Sequence, residues 1–189
     1  MKIRFFGGIR QVTGSSYGLE TPGLRIFVDC GLFQERPVLD RNWEPFAFAP
    51  AEVDALLLTH AHLDHCGRIP RLVAQGFSGP ILATEATADL ARIILLDSAH
   101  IQEEDAEFKR KRHRKEGRRG PHPEIPLYTV DDAKASLPLF ETVTYDAPVR
   151  LSRGVVAHFR DAGHILGSAM IDLEVREDDG PKRVVFSGD

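Results

Sequence analysis

Cysteine is scarce in this sequence: Cys30 and Cys66 are the only two in 189 residues. That excludes the disulfide scaffold of a small secreted domain and suits a reducing compartment. Long hydrophobic runs are also missing. The longest are stretches such as ALLL at 55–58, far below the roughly 20 apolar residues of a membrane-spanning helix. The opening MKIRFF passes into a strand-like pattern with no apolar leader segment. Internal repeats and low-complexity linkers are absent too. The default expectation is a cytoplasmic protein with no membrane association.

What is present is an ordinary globular composition, 42% hydrophobic and 28% charged. The length suits one domain, burying roughly 70% of the unfolded surface. Net charge is −4, but it is unevenly spread. The stretch KRKRHRKEGRR at 109–119 carries eight Lys/Arg and one Glu, leaving −11 for the remainder. Lys109, Arg110, Lys111, Arg112, Arg114, Lys115, Arg118 and Arg119 form a basic arm on an acidic body. Such an arm either draws nucleic acid through its phosphates or is a solvated helix end balanced by Glu103, Glu104, Asp105 and Glu107.

The first sixty residues read as strands separated by glycine turns. Residues 2–6, 16–20 and 24–30 are joined by GGIRQVTGS and TPG, which predicts consecutive antiparallel pairing. Residues 53–59, VDALLLT, form a continuous apolar run of the kind covered on both faces. A short helix ends at Gly76, and a strand follows at 80–84. A long helical pattern then places Leu90, Ile93, Ile94 and Ile101 on one side. Thr129 with Asp132 predicts a capping box opening another helix. From Glu141 onward the pattern is β again, with Ile171, Leu173 and Val175 alternating against Asp172 and Glu174. Sheets with helices packed outside them, α/β or α+β, fit this order.

The densest chemistry lies in LLLTHAHLDHCG, residues 56–67. His60, His62, Asp64 and His65 fall within six residues, directly after the buried strand. Imidazole and carboxylate donors suit zinc, manganese or iron, and a strand end gives them a rigid base. An extended loop aims His60 and His62 at one point, and Asp64 with His65 turns toward another, which suggests two ions. One loop cannot complete two coordination spheres. His164 in DAGHILGSA and Asp189 in VVFSGD stand in comparable positions, each after a strand.

Other polar and aromatic residues have duller readings. Asp97 and His100 share a helix face and are expected to form a buried pair supporting the site. Cys66 is expected to be a packed thiol, and His158 a satisfied sheet residue. Trp43, Phe46 and Phe48 are expected to pack a proline-rich loop onto the core. His113 and His122 carry no assignment.

The motif HxHxDH resembles the signature of the metallo-β-lactamase superfamily. FGGIRQVTGSSY, FVDCGLFQ, DSAHIQEEDA, PLYTVDDA, AGHILGSA and FSGD narrow the resemblance to its β-CASP branch, the nucleases of RNA processing. The resemblance implies an αββα sandwich, with residues 1–189 as its N-terminal portion. Its C-terminal strands and inserted β-CASP domain would then lie downstream. It implies that His60, His62 and His164 hold one metal, that Asp64 and His65 hold the other, and that Asp189 bridges them. Asp29 would orient the motif loop by hydrogen bonding. Two zinc ions, with manganese or iron as alternatives, would activate a water for attack on an RNA phosphodiester, Asp64 steering its proton. The same motif also permits a thioester or lactone hydrolase, or a non-catalytic RNA-binding subunit.

Overall fold

Strand alternation and turn chemistry resolve into two sheets in a computed structural model that describes residues 1–46, 48–119 and 124–189. The first sheet runs β1 (Lys2–Phe5), β2 (Tyr17–Thr21), β3 (Leu24–Val28), β4 (Ala55–Leu57), β5 (Ile81–Thr84), β6 (Phe140–Val143), in that spatial order. The β1–β2–β3 pairings are antiparallel, as the glycine turns predict, and β3 to β6 are parallel. The second sheet is an antiparallel meander of β7 (Pro148–Ser152), β8 (Val155–Asp161), β9 (Ala169–Glu177) and β10 (Gly180–Phe186).

The two sheets face each other across an apolar layer. Ile26, Val28 and Leu57 of the first meet Ala157, Phe159, Ile171, Leu173 and Val175 of the second. The period-two alternation of β9 therefore does what the sequence predicts: its apolar residues point inward. Asp172, on the opposite face, is still buried, because Arg160 and Arg183 both donate to its carboxylate.

The described elements also include helices α1 (Leu63–Cys66), α2 (Ile69–Ala74), α3 (Glu85–Glu116) and α4 (Val130–Ser136), and 3-10 turns at Arg36–Trp43, Pro50–Glu52 and Leu137–Leu139. Leu72 of α2 and Ala88, Ala91 and Leu95 of α3 pack on the outer face of the first sheet, against Phe27, Leu56 and Ile81. The capping box of Thr129 and Asp132 opens α4 as predicted. Trp43 is half-buried beneath the Arg71 guanidinium, while Phe48 is buried against Phe6 and Phe27.

The buried stripe of α3 differs from the expected one. It consists of Thr87, Ala88, Ala91, Leu95, Ser98, Ala99, Ala106 and His113. Ile93 is 66% exposed and Ile101 51% exposed. Ile93 lies two residues beyond Ala91, about 200° round the helix, so burying the alanine turns it outward. Small residues let the helix approach the sheet, and Leu90 and Ile94 pack at the edge of the contact. The same rotation overturns the Asp97–His100 expectation. Both residues are exposed, and His100 faces Glu104 at 3.3 Å instead of supporting the site.

Candidate metal centre

Parallel strands β3 to β6 end at one sheet edge, and a cluster of His and Asp side chains sits there, where open α/β sheets commonly bind ligands. Asp29 follows β3 directly. Thr59, His60 and His62 follow β4 as extended chain, and His62 precedes the single turn of α1 that carries Asp64 and His65. The second sheet contributes from the other side. His164 lies in the turn between β8 and β9, and Asp189 follows the end of β10. Ala169 N donates to Thr59 O at 2.8 Å, tying the two sheets together beside the cluster.

Donor atoms from these segments converge. His60, His62, His164 and Asp189 offer four that all lie within 4.8 Å of one another, and Asp64, His65 and Asp189 offer a second group of three. His60 Nε2 stands 3.1 Å from His62 Nδ1, and His164 Nε2 stands 3.2 Å from that same atom. His65 Nε2 is 3.3 Å from Asp189 Oδ1 and 3.9 Å from Asp64 Oδ2. The six residues that the motif reading singles out are thus gathered at one place, with Asp189 common to both groups.

The donor set fits metal. Nitrogens bound tetrahedrally to zinc at its usual bond length stand about 3.3 Å apart, close to the imidazole spacings here. Ring lone pairs and carboxylate oxygens brought this close repel one another, and a cation among them would turn that repulsion into attraction. Imidazole with carboxylate suits zinc, and manganese or iron bind comparable sets.

Beneath the ligand atoms lies a buried polar layer. Asp29 is 1% exposed and adopts φ +60°. Its carboxylate accepts from Thr59 N at 2.8 Å and from the Thr59 hydroxyl, while Oδ2 pairs with His65 Nδ1 at 2.8 Å. Holding the proton on Nδ1 leaves His65 Nε2 free to face Asp64 and Asp189. Burial works to lower the His65 pKa. The Asp29 hydrogen bond and the charges of Asp29, Asp189 and Asp64 outweigh it, and the net direction is upward. His60 goes the other way: burial, then the neighbouring His65 and His62, bring it to about 3.

The glycine turn between β1 and β2 clamps the motif from outside. Ser15 N donates to Asp64 O and Gly31 N to Ser15 O, each at 2.8 Å. A Cβ on Gly31 would meet Asp64 O at 1.7 Å, so the close approach requires glycine. Arg68, just after α1, is buried and donates through Nε to Gly31 O at 2.8 Å. Thr59, Arg68, Thr84, Thr87 and Ser168 all hold this region, and none stands out in the sequence. A threonine or serine beside a motif gives no periodic or spacing signal.

The remaining expectations fall elsewhere. Cys30 and Cys66 are both free and buried, and burial pushes the Cys30 thiol up to about 12. His158 lies in β8, its Nδ1 3.4 Å from Asp146 O. His113 is buried and pairs with Glu124 at 2.5 Å, whereas His122 lies outside the described residues. Lys109, Arg110, Lys111, Arg112, Arg114 and Lys115 occupy the end of α3, and Arg118 and Arg119 lie just beyond it, all eight exposed. Lys111 pairs with Glu107 and Arg118 with Glu116. The first turn of α3 touches the His164 turn, so the arm begins about 33 Å further along the helix axis and is not brought to the cluster.

A profile described as the Metallo-beta-lactamase superfamily domain matches residues 19–185. Over its whole length the chain is 38% identical to Ribonuclease TTHA0252 of Thermus thermophilus, and spans 38% of that protein. It is 32% identical to Transcription termination factor FttA of Methanocaldococcus jannaschii and spans 27% of it. Among solved structures, a Cronobacter sakazakii metallo-β-lactamase with a HARLDQ motif superposes with TM-score 0.56 at 24% identity, covering 98% of this chain and 55% of that one. MEM-A1, a subclass B3 metallo-β-lactamase from a soil metagenome library, gives 0.56 at 19% identity, covering 92% and 56%. At those identities the structures attest the fold alone. With two facing sheets, helices outside the first and a His/Asp cluster at the strand ends, this chain belongs to the metallo-β-lactamase superfamily.

Proposed function

We propose that this chain carries the metal centre of a β-CASP-type ribonuclease, a hydrolase of RNA phosphodiesters. The observation that carries the reading is that six residues from three chain segments form two adjoining donor groups with Asp189 common to both. Whole-length similarity to a protein named as a ribonuclease supplies the substrate class, and relatives named as transcription termination factors support RNA over a small molecule. In this reading His60, His62, His164 and Asp189 hold one ion, and Asp64, His65 and Asp189 the other, zinc being first choice and manganese or iron alternatives. Ions held there would supply a water acidic enough to give hydroxide near neutral pH. Asp64 receives the proton released there, and Asp29 keeps His65 in the tautomer that faces the reaction. In-line displacement at phosphorus expels the 3′-oxygen, which takes up a proton.

His62→Ala is the direct test, because its Nδ1 is the shared neighbour of His60 and His164. RNA cleavage by the protein containing it should fall at least 10²-fold, with zinc content reduced. Unchanged cleavage would overturn the reading. A panel including thioesters and lactones separates the other hydrolases of this fold, and RNA binding without cleavage would favour a non-catalytic subunit.

The basic arm belongs to the same proposal as an electrostatic approach surface for RNA. Reversing Arg110, Arg112, Arg114 and Lys115 to Glu should weaken RNA binding and flatten its salt dependence, with zinc content unchanged. Equal affinity across 50–200 mM salt would make the arm a solvated helix end.

A further inference from the structure

His164 is held by a turn, the segment 162–168, and not by a helix or a strand. Its ring position therefore depends on what fixes that turn. One side is fixed by Ser168 and, from outside the turn, by Tyr145. The Ser168 hydroxyl accepts from His164 N at 3.1 Å and from Ile165 N at 3.2 Å, and Tyr145 OH donates to Ser168 O at 2.9 Å.

The other side is braced from the first turn of α3, about eighty residues earlier in the chain. Gly167 O accepts from Thr84 Oγ1 at 2.6 Å and from Thr87 Oγ1 at 2.8 Å. Both threonines are buried, at 4% and 0% exposure. One hydroxyl would satisfy the carbonyl; two occupy both of its lone pairs and fix its direction. Gly167 has φ +81°, and a Cβ there would lie 2.5 Å from Thr87 N, so the helix end and the turn meet backbone to backbone. Thr84 also caps α3 by accepting from Thr87 N at 3.3 Å. The brace is therefore built on the capped N-terminus of α3.

We propose that Thr84 and Thr87 are positioning residues for His164, setting the imidazole where it completes the cluster with His60, His62 and Asp189. This rests on the metal-centre reading above. Neither threonine is itself a donor to metal; each acts through the Gly167 carbonyl, as outer-shell partners of metal ligands do.

The test uses zinc alone as the probe, its affinity read by competition with a chromophoric chelator. Thr87→Val keeps the Thr84 cap and removes one hydroxyl; Thr84→Val/Thr87→Val removes both. Zinc binding should weaken about 10- to 100-fold in the double variant and by less in the single. Thr84→Ser/Thr87→Ser, which retains both hydroxyls, should stay within about threefold of the parent, the rescue that a hydroxyl-specific role requires. His164→Ala is the control. If it weakens zinc and the valine variants do not, the positioning role is wrong while the metal centre stands. If His164→Ala leaves zinc affinity unchanged, the metal-centre reading fails and takes the proposal with it. Should the double variant not fold, Thr87→Val against Thr87→Ser decides: equal zinc affinity in the two overturns the proposal.

Discussion

Imidazole nitrogens 3.1–3.2 Å apart cannot all carry protons, and that crowding sets how the metal-free chain responds to acid. His60 is held neutral by burial and by its neighbours, with a pKa near 3, whereas an unfolded histidine titrates near 6.5. Between those values the unfolded chain binds a proton that the folded chain refuses, so stability falls as pH drops from about 6.5 toward 3. His65 acts in the opposite sense. Its pKa is raised in the fold, so its contribution is full below the unfolded value and lost as pH rises through the folded one. In chelator-treated protein, unfolding by urea at pH 7 and pH 4.5 should show a smaller acid loss for His60→Gln than for the parent, the difference on the order of 2 kcal/mol. Parallel pH dependences would assign the acid-labile group elsewhere. The histidines were legible at this scale because His60, His62, Asp64 and His65 are crowded into six residues. Thr59 and Arg68 were not, since their roles consist of contacts to Asp29 and Gly31, about thirty or more positions away in the chain.

At the scale of elements, glycine marks where chain segments approach too closely for a side chain. Gly167 and Gly117 both have positive φ, +81° and +64°, yet they differ in surroundings. Gly117 ends α3 in open space, and an alanine there meets nothing within 4 Å. Alanine at Gly167 collides with Thr87 N as well as taking up a left-handed backbone. Gly117→Ala should cost about 1 kcal/mol, and Gly167→Ala more, about 2–3 kcal/mol, with zinc affinity lost only in the second. Equal costs by chemical denaturation would mean the turn relaxes away from the helix. The long helix itself was legible from its periodicity, but not its orientation. Isoleucines set the apolar pattern at Ile93 and Ile101, while close contact selected Ala88 and Ala91 against the sheet and Ala99 against Tyr128 and Ala133. A hydrophobic pattern records which residues tolerate burial, and packing distance decides which are buried.

At the scale of the molecule, the candidate centre lies where two sheets meet, beside the apolar layer between them and the backbone tie from Ala169 N to Thr59 O. Donors on the first-sheet loops meet His164 and Asp189 of the second, so an ion bound there links both. Zinc at 100-fold above its Kd should add about 2.7 kcal/mol, raising the melting temperature by roughly 5–10 °C for a chain of this size, and EDTA should reverse it. No shift with zinc, manganese or iron would mean the donors hold no ion. The sequence by itself determined the secondary elements, the family resemblance and the local half of the donor set, because those depend on periodicity and on neighbours in the chain. Only the tertiary structure decided that His164 and Asp189, 104 and 129 positions after His60, come within donor distance of it. It also decided that Asp29, Thr59, Thr84 and Thr87 hold the place where they meet. Contacts between distant segments depend on sheet pairing and layer packing, which no local pattern encodes.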